Sequence, residues 1–300
     1  MKNMISMRDL SKKDILHLME IAAKIEDGEI VPDLKGRLAA LLFFEPSTRT
    51  MFSFDTAVKR MNGSTIIMSG TKNTSSKKGE TFADTLQTIA QYSDIIIMRT
   101  PVEGAARYAS EIVNIPVVNA GDGANQHPTQ ALLDLYSIMK TQGTLEGLKV
   151  GLAGDLRFGR TVHSLAQALS LFGVQFKFIS PSFLQMPEYI KDDLEARKIK
   201  FTELDDIEGN IDDLDILYVT RIQKERFADP EDYENLKGSY ILKKSMLDNV
   251  KTNFKVMHPL PRVDEINTDV DDTKYAYYFP QAKNGVFTRQ ALIAILLGEV

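Results

Sequence analysis

Cysteine is absent from the 300 residues. That absence excludes disulfides, thiolate catalysis and any metal site built on cysteine, and it fits a reducing compartment. Histidine is scarce, with four copies, so imidazole chemistry has few places to sit. Positive charge is not in excess: the net charge is −5, which argues against a dedicated nucleic-acid binder. Basic residues therefore matter where they cluster locally. No apolar run approaches membrane-spanning length, and the opening residues MKNMISMRDLSKKD lack the apolar core of a signal peptide. The expectation is a cytoplasmic protein that binds neither nucleic acid nor membrane.

What remains is the composition of a soluble globular chain, 43% hydrophobic and 26% charged, long enough for two ordinary domains. Ser11-Lys12-Lys13-Asp14 opens an amphipathic helix with Ile15, Leu18, Met19 and Ala22 on one side. Apolar strand candidates follow at 38–44, 64–69, 94–99 and 115–119, separated by helical stretches near 50–61, 80–92 and 104–112. A second series begins at Lys149, with strands near 149–153, 175–180, 199–203, 215–220 and 254–258. Strands alternating with helices predict α/β architecture: two doubly wound domains, each a parallel sheet flanked by helices. The 128–141 segment reads as a helix bridging the halves, and Phe287–Leu297 as a strongly apolar terminal helix. The irregular, charged stretches 70–78 and 221–242 are candidate mobile loops.

The most informative segment is Pro46-Ser47-Thr48-Arg49-Thr50. It lies between a buried strand, LAALLFF, and a helix that carries Phe52, Ala57, Val58 and Met61 at helical spacing. Hydroxyls, free amides at a helix start and a forked cation together make a compact anion site. An ordinary Ser/Thr cap on a surface helix would use similar residues, so the neighbours decide. In open parallel sheets ligands sit at the carboxyl ends of strands. The other candidates fall there too: Arg99, the Gly121–His127 loop with Gln130 one turn on, Asp155–Arg160, Arg221–Gln223 and His258–Arg262. Near a helix start imidazole is favoured neutral, so His127 can donate one hydrogen bond to a polarised carbonyl. Two guanidinium groups, Arg160 and Arg221, fit a ligand with two carboxylates. Gly154-Asp155-Leu156-Arg157-Phe158-Gly159 lacks the spacing of a dinucleotide fingerprint.

Ser-Thr-Arg-Thr after a strand resembles the carbamoyl-phosphate loop of the transcarbamoylases. The later motifs (NQHPTQ at 125–130, Gly154-Asp155 with Gly159-Arg160-Thr161, Thr220-Arg221 with Gln223, and HPLPR at 258–262) resemble, in order, the catalytic chain of aspartate carbamoyltransferases over nearly the whole chain. Departures are Thr100, where the family usually shows His, and Arg157-Phe158, where some relatives have Lys-Tyr.

The resemblance implies transfer of a carbamoyl group to L-aspartate, giving N-carbamoyl-L-aspartate for pyrimidine biosynthesis, with no metal or organic cofactor. It implies a carbamoyl-phosphate-binding domain over 1–133 plus 287–300 and an aspartate-binding domain over 134–286. Carbamoyl phosphate would contact Ser47, Thr48, Arg49, Thr50, Arg99, His127, Gln130, Pro259 and Leu260, with Arg49, Thr50, Arg99 and His127 catalytic. Aspartate would contact Lys78, Arg160, Arg221, Gln223 and Leu260. Lys78 and Ser75, or Thr74 in place of Ser75, would reach a neighbouring subunit's site in a homotrimer. A cis Leu260–Pro261 bond is also implied, and the resemblance leaves room for a regulatory chain. Two alternatives stay open. An ornithine carbamoyltransferase normally shows an HCLP-type motif, whereas His258-Pro259-Leu260-Pro261 stands here. A phosphate-sensing or scaffold homologue should lose Arg49, His127 or Lys78, and all three are present.

Overall fold

The computed structural model describes residues 1–70, 79–222 and 240–300. Thr74, Ser75, Lys78 and Gln223, with most of the two candidate mobile loops, lie outside the described residues. The chain divides into two compact units, Met1–Leu133 with Lys283–Val300, and Asp134–Ala282.

The first unit is built on four parallel strands: β1 (Leu38–Phe43), β2 (Ser64–Ser69), β3 (Ile95–Thr100) and β4 (Val117–Asp122), in the order β2-β1-β3-β4. The central strand β1 is apolar throughout and β3 is apolar up to Arg99, because helices cover both faces, leaving no side to water. The edge strand β2 leaves Ile66 and Ile67 substantially exposed. Ala40, Leu42, Ile96 and Met98 meet Leu86, Ala106 and Ala109 from the helices in one core. Each large apolar side chain buried here contributes roughly 1.5–3 kcal/mol relative to exposure. Helix α1 (Lys12–Glu26) starts with the Ser11–Asp14 capping box and buries Ile15, Leu18, Met19 and Ala22, as its spacing predicts. The extreme N-terminus adds a contact with no signal in its composition: Met4 pairs with Val118, so the chain's start lies beside β4. Helices α2 (Thr48–Arg60), α3 (Phe82–Ala90), α4 (Ala105–Ile112) and α5 (Pro128–Gln142) follow.

The second unit carries five parallel strands: β5 (Lys149–Ala153), β6 (Gln175–Ile179), β7 (Phe201–Leu204), β8 (Ile216–Val219) and β9 (Lys255–Met257), in the order β7-β6-β5-β8-β9. Helices α6 (Arg160–Leu169) and α7 (Glu188–Ala196) accompany them. Ile179, Leu217, Val219, Phe254 and Val256 anchor its core.

The terminal helix runs Tyr278–Leu297, nine residues earlier than the apolar pattern predicts. Pro280 and Gly285 read as breakers in sequence. Pro280 is third in the helix, where its missing N–H would have no intrahelical partner. At Gly285 a Cβ would stand 2.4 Å from Arg289 Nη1 and 3.0 Å from Leu133 Cδ2, so close packing accounts for that glycine. Among the described residues no helix is long and apolar enough to cross a membrane.

Candidate active site

Both sheets wind outward from their centre, and each therefore has a switch point where neighbouring strands leave in opposite directions. In the first unit it lies between β1 and β3, and in the second between β5 and β8. The crevice at such a point is the usual ligand position in open α/β sheets, because the loops part there and helix starts face it.

After β1 the chain turns through Pro46, and Ser47 is the N-cap of α2 in extended conformation, its hydroxyl not used for capping. Thr48 and Arg49 are exposed while Thr50 is buried. Partial loss of water around the guanidinium, which disfavours its charged form, lowers the Arg49 pKa from its ordinary value. An arginine so placed stays charged. From behind, Arg289 Nη1 donates to Ser53 Oγ at 2.6 Å, and its guanidinium lies 4.9 Å over the Phe54 ring. The second turn of α2 is thus braced against Arg289 of the terminal helix.

Arg99, paired with Phe43 across β1 and β3, is buried. Its Nη2 donates to Glu45 Oε1 at 2.8 Å and its Nη1 to the Ala120 carbonyl at 3.4 Å. Nη1 also lies 3.5 Å from His127 Nε2. Guanidinium only donates, so in that contact Nε2 accepts and the ring proton sits on Nδ1. Glu45 was not singled out by sequence. It offsets the charge that burial of Arg99 would otherwise leave unpaired. The only signal was its place beside the Pro46–Thr50 turn. His127 and Gln130 are buried at the start of α5, and the Gln130 amide donates to the His127 carbonyl at 3.0 Å. The structure therefore gathers Arg99 and His127, with Ser47–Thr50 at the adjoining strand end.

In the second unit Gly154 and Thr220 mark the switch point. A Cβ on Gly154 would stand 2.2 Å from the Thr220 carbonyl oxygen. Only glycine lets these two strand ends approach so closely. Arg160 opens α6 and Arg221 follows β8, both half-buried. His163, one turn into α6, is buried and its Nε2 donates to the Leu156 carbonyl at 2.8 Å. Burial lowers its pKa, so the neutral ring ties the 154–159 loop to the helix that Arg160 begins.

Pro259 and Leu260 are half-buried, the Leu260–Pro261 bond is cis, and Leu260 has φ 55°. The Leu260 amide donates to His258 Nδ1 at 2.7 Å, which leaves Nε2 to donate to Glu265 Oε1 at 2.7 Å. The other Glu265 oxygen accepts from the amides of Val263 and Asp264. The loop is thereby folded around one buried imidazole. Among the described residues no group of three or more His, Asp or Glu could hold a metal ion.

A family model described as "Aspartate/ornithine carbamoyltransferase, carbamoyl-P binding domain" matches residues 2–140, and its partner, the "Asp/Orn binding domain", matches residues 146–296. The chain belongs to the aspartate/ornithine carbamoyltransferase family. It is 53% identical over 302 residues to the aspartate carbamoyltransferase catalytic subunit of Thermococcus kodakarensis, covering 99% of this chain and 97% of the relative. The catalytic subunit of M. jannaschii aspartate transcarbamoylase superposes with a TM-score of 0.93 at 50% identity, covering 99% of this chain and 98% of that one. The Trypanosoma cruzi aspartate transcarbamoylase, solved in complex with carbamoyl phosphate and aspartate, gives a TM-score of 0.90 at 36% identity, covering 97% and 94%. The two parallel sheets are thus the carbamoyltransferase fold, as expected.

Proposed function

We propose that this carbamoyltransferase uses L-aspartate as acceptor. It transfers the carbamoyl group of carbamoyl phosphate to the α-amine, giving N-carbamoyl-L-aspartate and phosphate, a step of pyrimidine biosynthesis. The observation that carries the reading is the pair of cations at the second unit's switch point, Arg160 and Arg221. They suit a dicarboxylate and would repel the cationic side chain of ornithine.

Carbamoyl phosphate belongs to the first unit, Met1–Leu133 with Lys283–Val300, and aspartate to the second, Asp134–Ala282. Ser47, Thr48, Arg49, Thr50 and Arg99 hold the phosphate. Thr50, Arg99 and His127 polarise the carbonyl, and Gln130 with the Pro259 and Leu260 carbonyls orients the carbamoyl amine. The neutral α-amine attacks the carbonyl carbon. The new C–N bond forms as the C–O bond to phosphate breaks, and the departing phosphate takes the amine proton. Rate acceleration comes from positioning and from donors aimed at the developing oxyanion.

Gln223 assists Arg160 and Arg221. Lys78, with Ser75 or Thr74, serves the site of the next subunit in a cytoplasmic homotrimer, to which a regulatory chain is an optional addition. Measuring ureido product from carbamoyl phosphate with aspartate, ornithine or no acceptor tests the substrate: comparable turnover with ornithine removes the assignment. Mixing Arg49→Ala with Lys78→Ala chains tests the shared site. Random reassembly makes three quarters of trimers mixed, each with one intact interface in three, so about a quarter of sites recover activity. No recovery in confirmed hybrids would refute the sharing.

A further inference from the structure

Asp122 is a carboxylate buried to 2% exposure at the end of β4, and the chemistry described above makes no use of it. Its Oδ1 accepts from Asn119 Nδ2 at 2.9 Å and from the Gln126 amide at 3.1 Å. Its Oδ2 accepts from the Gly104 amide at 2.9 Å and from Asn125 Nδ2 at 3.0 Å. Its own amide donates to the Gln126 carbonyl at 3.1 Å, and its carbonyl accepts from the Asn125 amide at 3.0 Å. The loop 122–126 is therefore closed around a single side chain, and the next residue is His127.

The clamp is also fixed from outside. The Gly123 amide donates to the Thr100 carbonyl at 2.9 Å, one residue past Arg99. A Cβ on Gly123 would stand 2.5 Å from Glu103 Cγ and 3.0 Å from the Pro101 carbonyl oxygen, so the loop packs hard against 101–103. Gly104, the N-cap of α4, has no side chain with which to cap, and its own N–H is accepted by Asp122 at the end of β4.

A buried carboxylate with four donors is a costly way to close a strand, since an apolar residue of similar size would bury more cheaply. It does supply a rigid frame that ties the end of β3, the start of α4 and the residue before His127 together. We propose that Asp122 is a positioning residue for the carbamoyl-transfer reaction, fixing the His127 imidazole beside Arg99 and touching no substrate itself. This rests on the assignment of His127 as a carbonyl-polarising group.

The test is a cycle of Asp122→Asn, His127→Ala and the double variant, read by kcat and by equilibrium binding of inorganic phosphate. An amide at position 122 turns N–H groups toward two existing donors, so kcat should fall about 10- to 100-fold. Phosphate affinity should change by less than about twofold, because Ser47–Thr50 lie at another strand's end and Arg99, the remaining phosphate contact, keeps its own bonds to Glu45 and the Ala120 carbonyl. In the His127→Ala background, Asp122→Asn should cost no more than about twofold. Asn125→Ala removes one donor and leaves the carboxylate. It should lower kcat about threefold with the same loss of effect in the His127→Ala background, and it serves if Asp122→Asn does not fold.

Equal losses with and without His127, or phosphate affinity falling in step with kcat, would make Asp122 a structural residue and overturn the proposal. So would wild-type kcat in Asp122→Asn and Asn125→Ala while His127→Ala is inactive, an outcome that keeps the site assignment. Full activity of His127→Ala removes that assignment and the proposal with it.

Discussion

Gly154→Ala is the sharpest test of how the second unit is built. A Cβ at this position would stand 2.2 Å from the Thr220 carbonyl oxygen, 2.8 Å from Thr220 Oγ1 and 3.1 Å from the Thr220 carbonyl carbon. Real Cβ contacts stay above 3.0 Å, so the ends of β5 and β8 must part by at least 0.8 Å. The atoms in the way are mainly backbone and cannot swing aside. Two bonds from Thr220 to the Ala153 carbonyl, from N at 2.7 Å and from Oγ1 at 3.1 Å, hold those ends together. The glycine also has φ 108°, outside the range of an L side chain. Backbone strain of about 1–3 kcal/mol and overpacking of a similar size give a loss of about 2–6 kcal/mol. That is a large part of the roughly 5–15 kcal/mol that holds a domain folded. The midpoint of thermal unfolding should fall by about 5–15 °C. Arg221 follows Thr220 directly, so the surviving enzyme should show a raised KM for aspartate with carbamoyl-phosphate binding unchanged. Melting within 1 °C of wild type and an unaltered aspartate KM would refute the reasoning.

Arg49→Ala should lower turnover about 10²–10³-fold, the usual cost of one charge-stabilising donor, while its exposed position leaves the melting temperature unchanged; near-wild-type kcat in the folded variant would move the phosphate elsewhere. His163 is held neutral by burial, with its pKa below the ordinary 6.5. The unfolded chain therefore binds a proton that the folded one does not, and its contribution to stability, full above 6.5, is lost as pH falls through the lowered value. Denaturation midpoints below pH 6.5 should drop faster for wild type than for His163→Gln, and parallel curves would count against this. Asp213, hydrogen-bonded by Lys149 and Lys177, is lowered to about 2. Its contribution is present above 3.8 and is lost as pH falls toward 2. Since its side chain is 45% exposed, solvent screening keeps the effect under about 1 kcal/mol, and Asp213→Asn should flatten the acid limb of a urea titration only slightly.

Much of the molecule is decided locally and is legible in the residues. β1 is an unbroken apolar run, and β3 is apolar up to Arg99 at its end, because both of their faces are covered, and the Ser11–Asp14 box starts α1 from four residues alone. The Pro46–Thr50 turn and the NQHPTQ and HPLPR motifs stand at strand ends, where alternating strands and helices already placed them. Local pattern failed at the terminal helix. Pro280 and Gly285 carry breaker signals, but the first turn tolerates the one and close packing against Arg289 and Leu133 accounts for the other.

Tertiary structure alone decided which side chains meet. The 2.8 Å pair of Glu45 with Arg99 joins residues 54 apart in sequence, and neither neighbourhood announces the other. Strand order, not strand existence, makes the crevices: β1 beside β3 and β5 beside β8 create the two switch points, and nothing in a single strand's composition encodes its neighbour. Asp122 read as a loop residue next to a glycine; three of its four donors lie within four residues of it, and only the Gly104 amide, 18 residues away, is brought to it by the fold. The physical reason is range. Periodicity, caps and turns are set by neighbours in the chain, whereas hydrogen bonds and charge pairs at a site depend on which distant segments the sheet brings together.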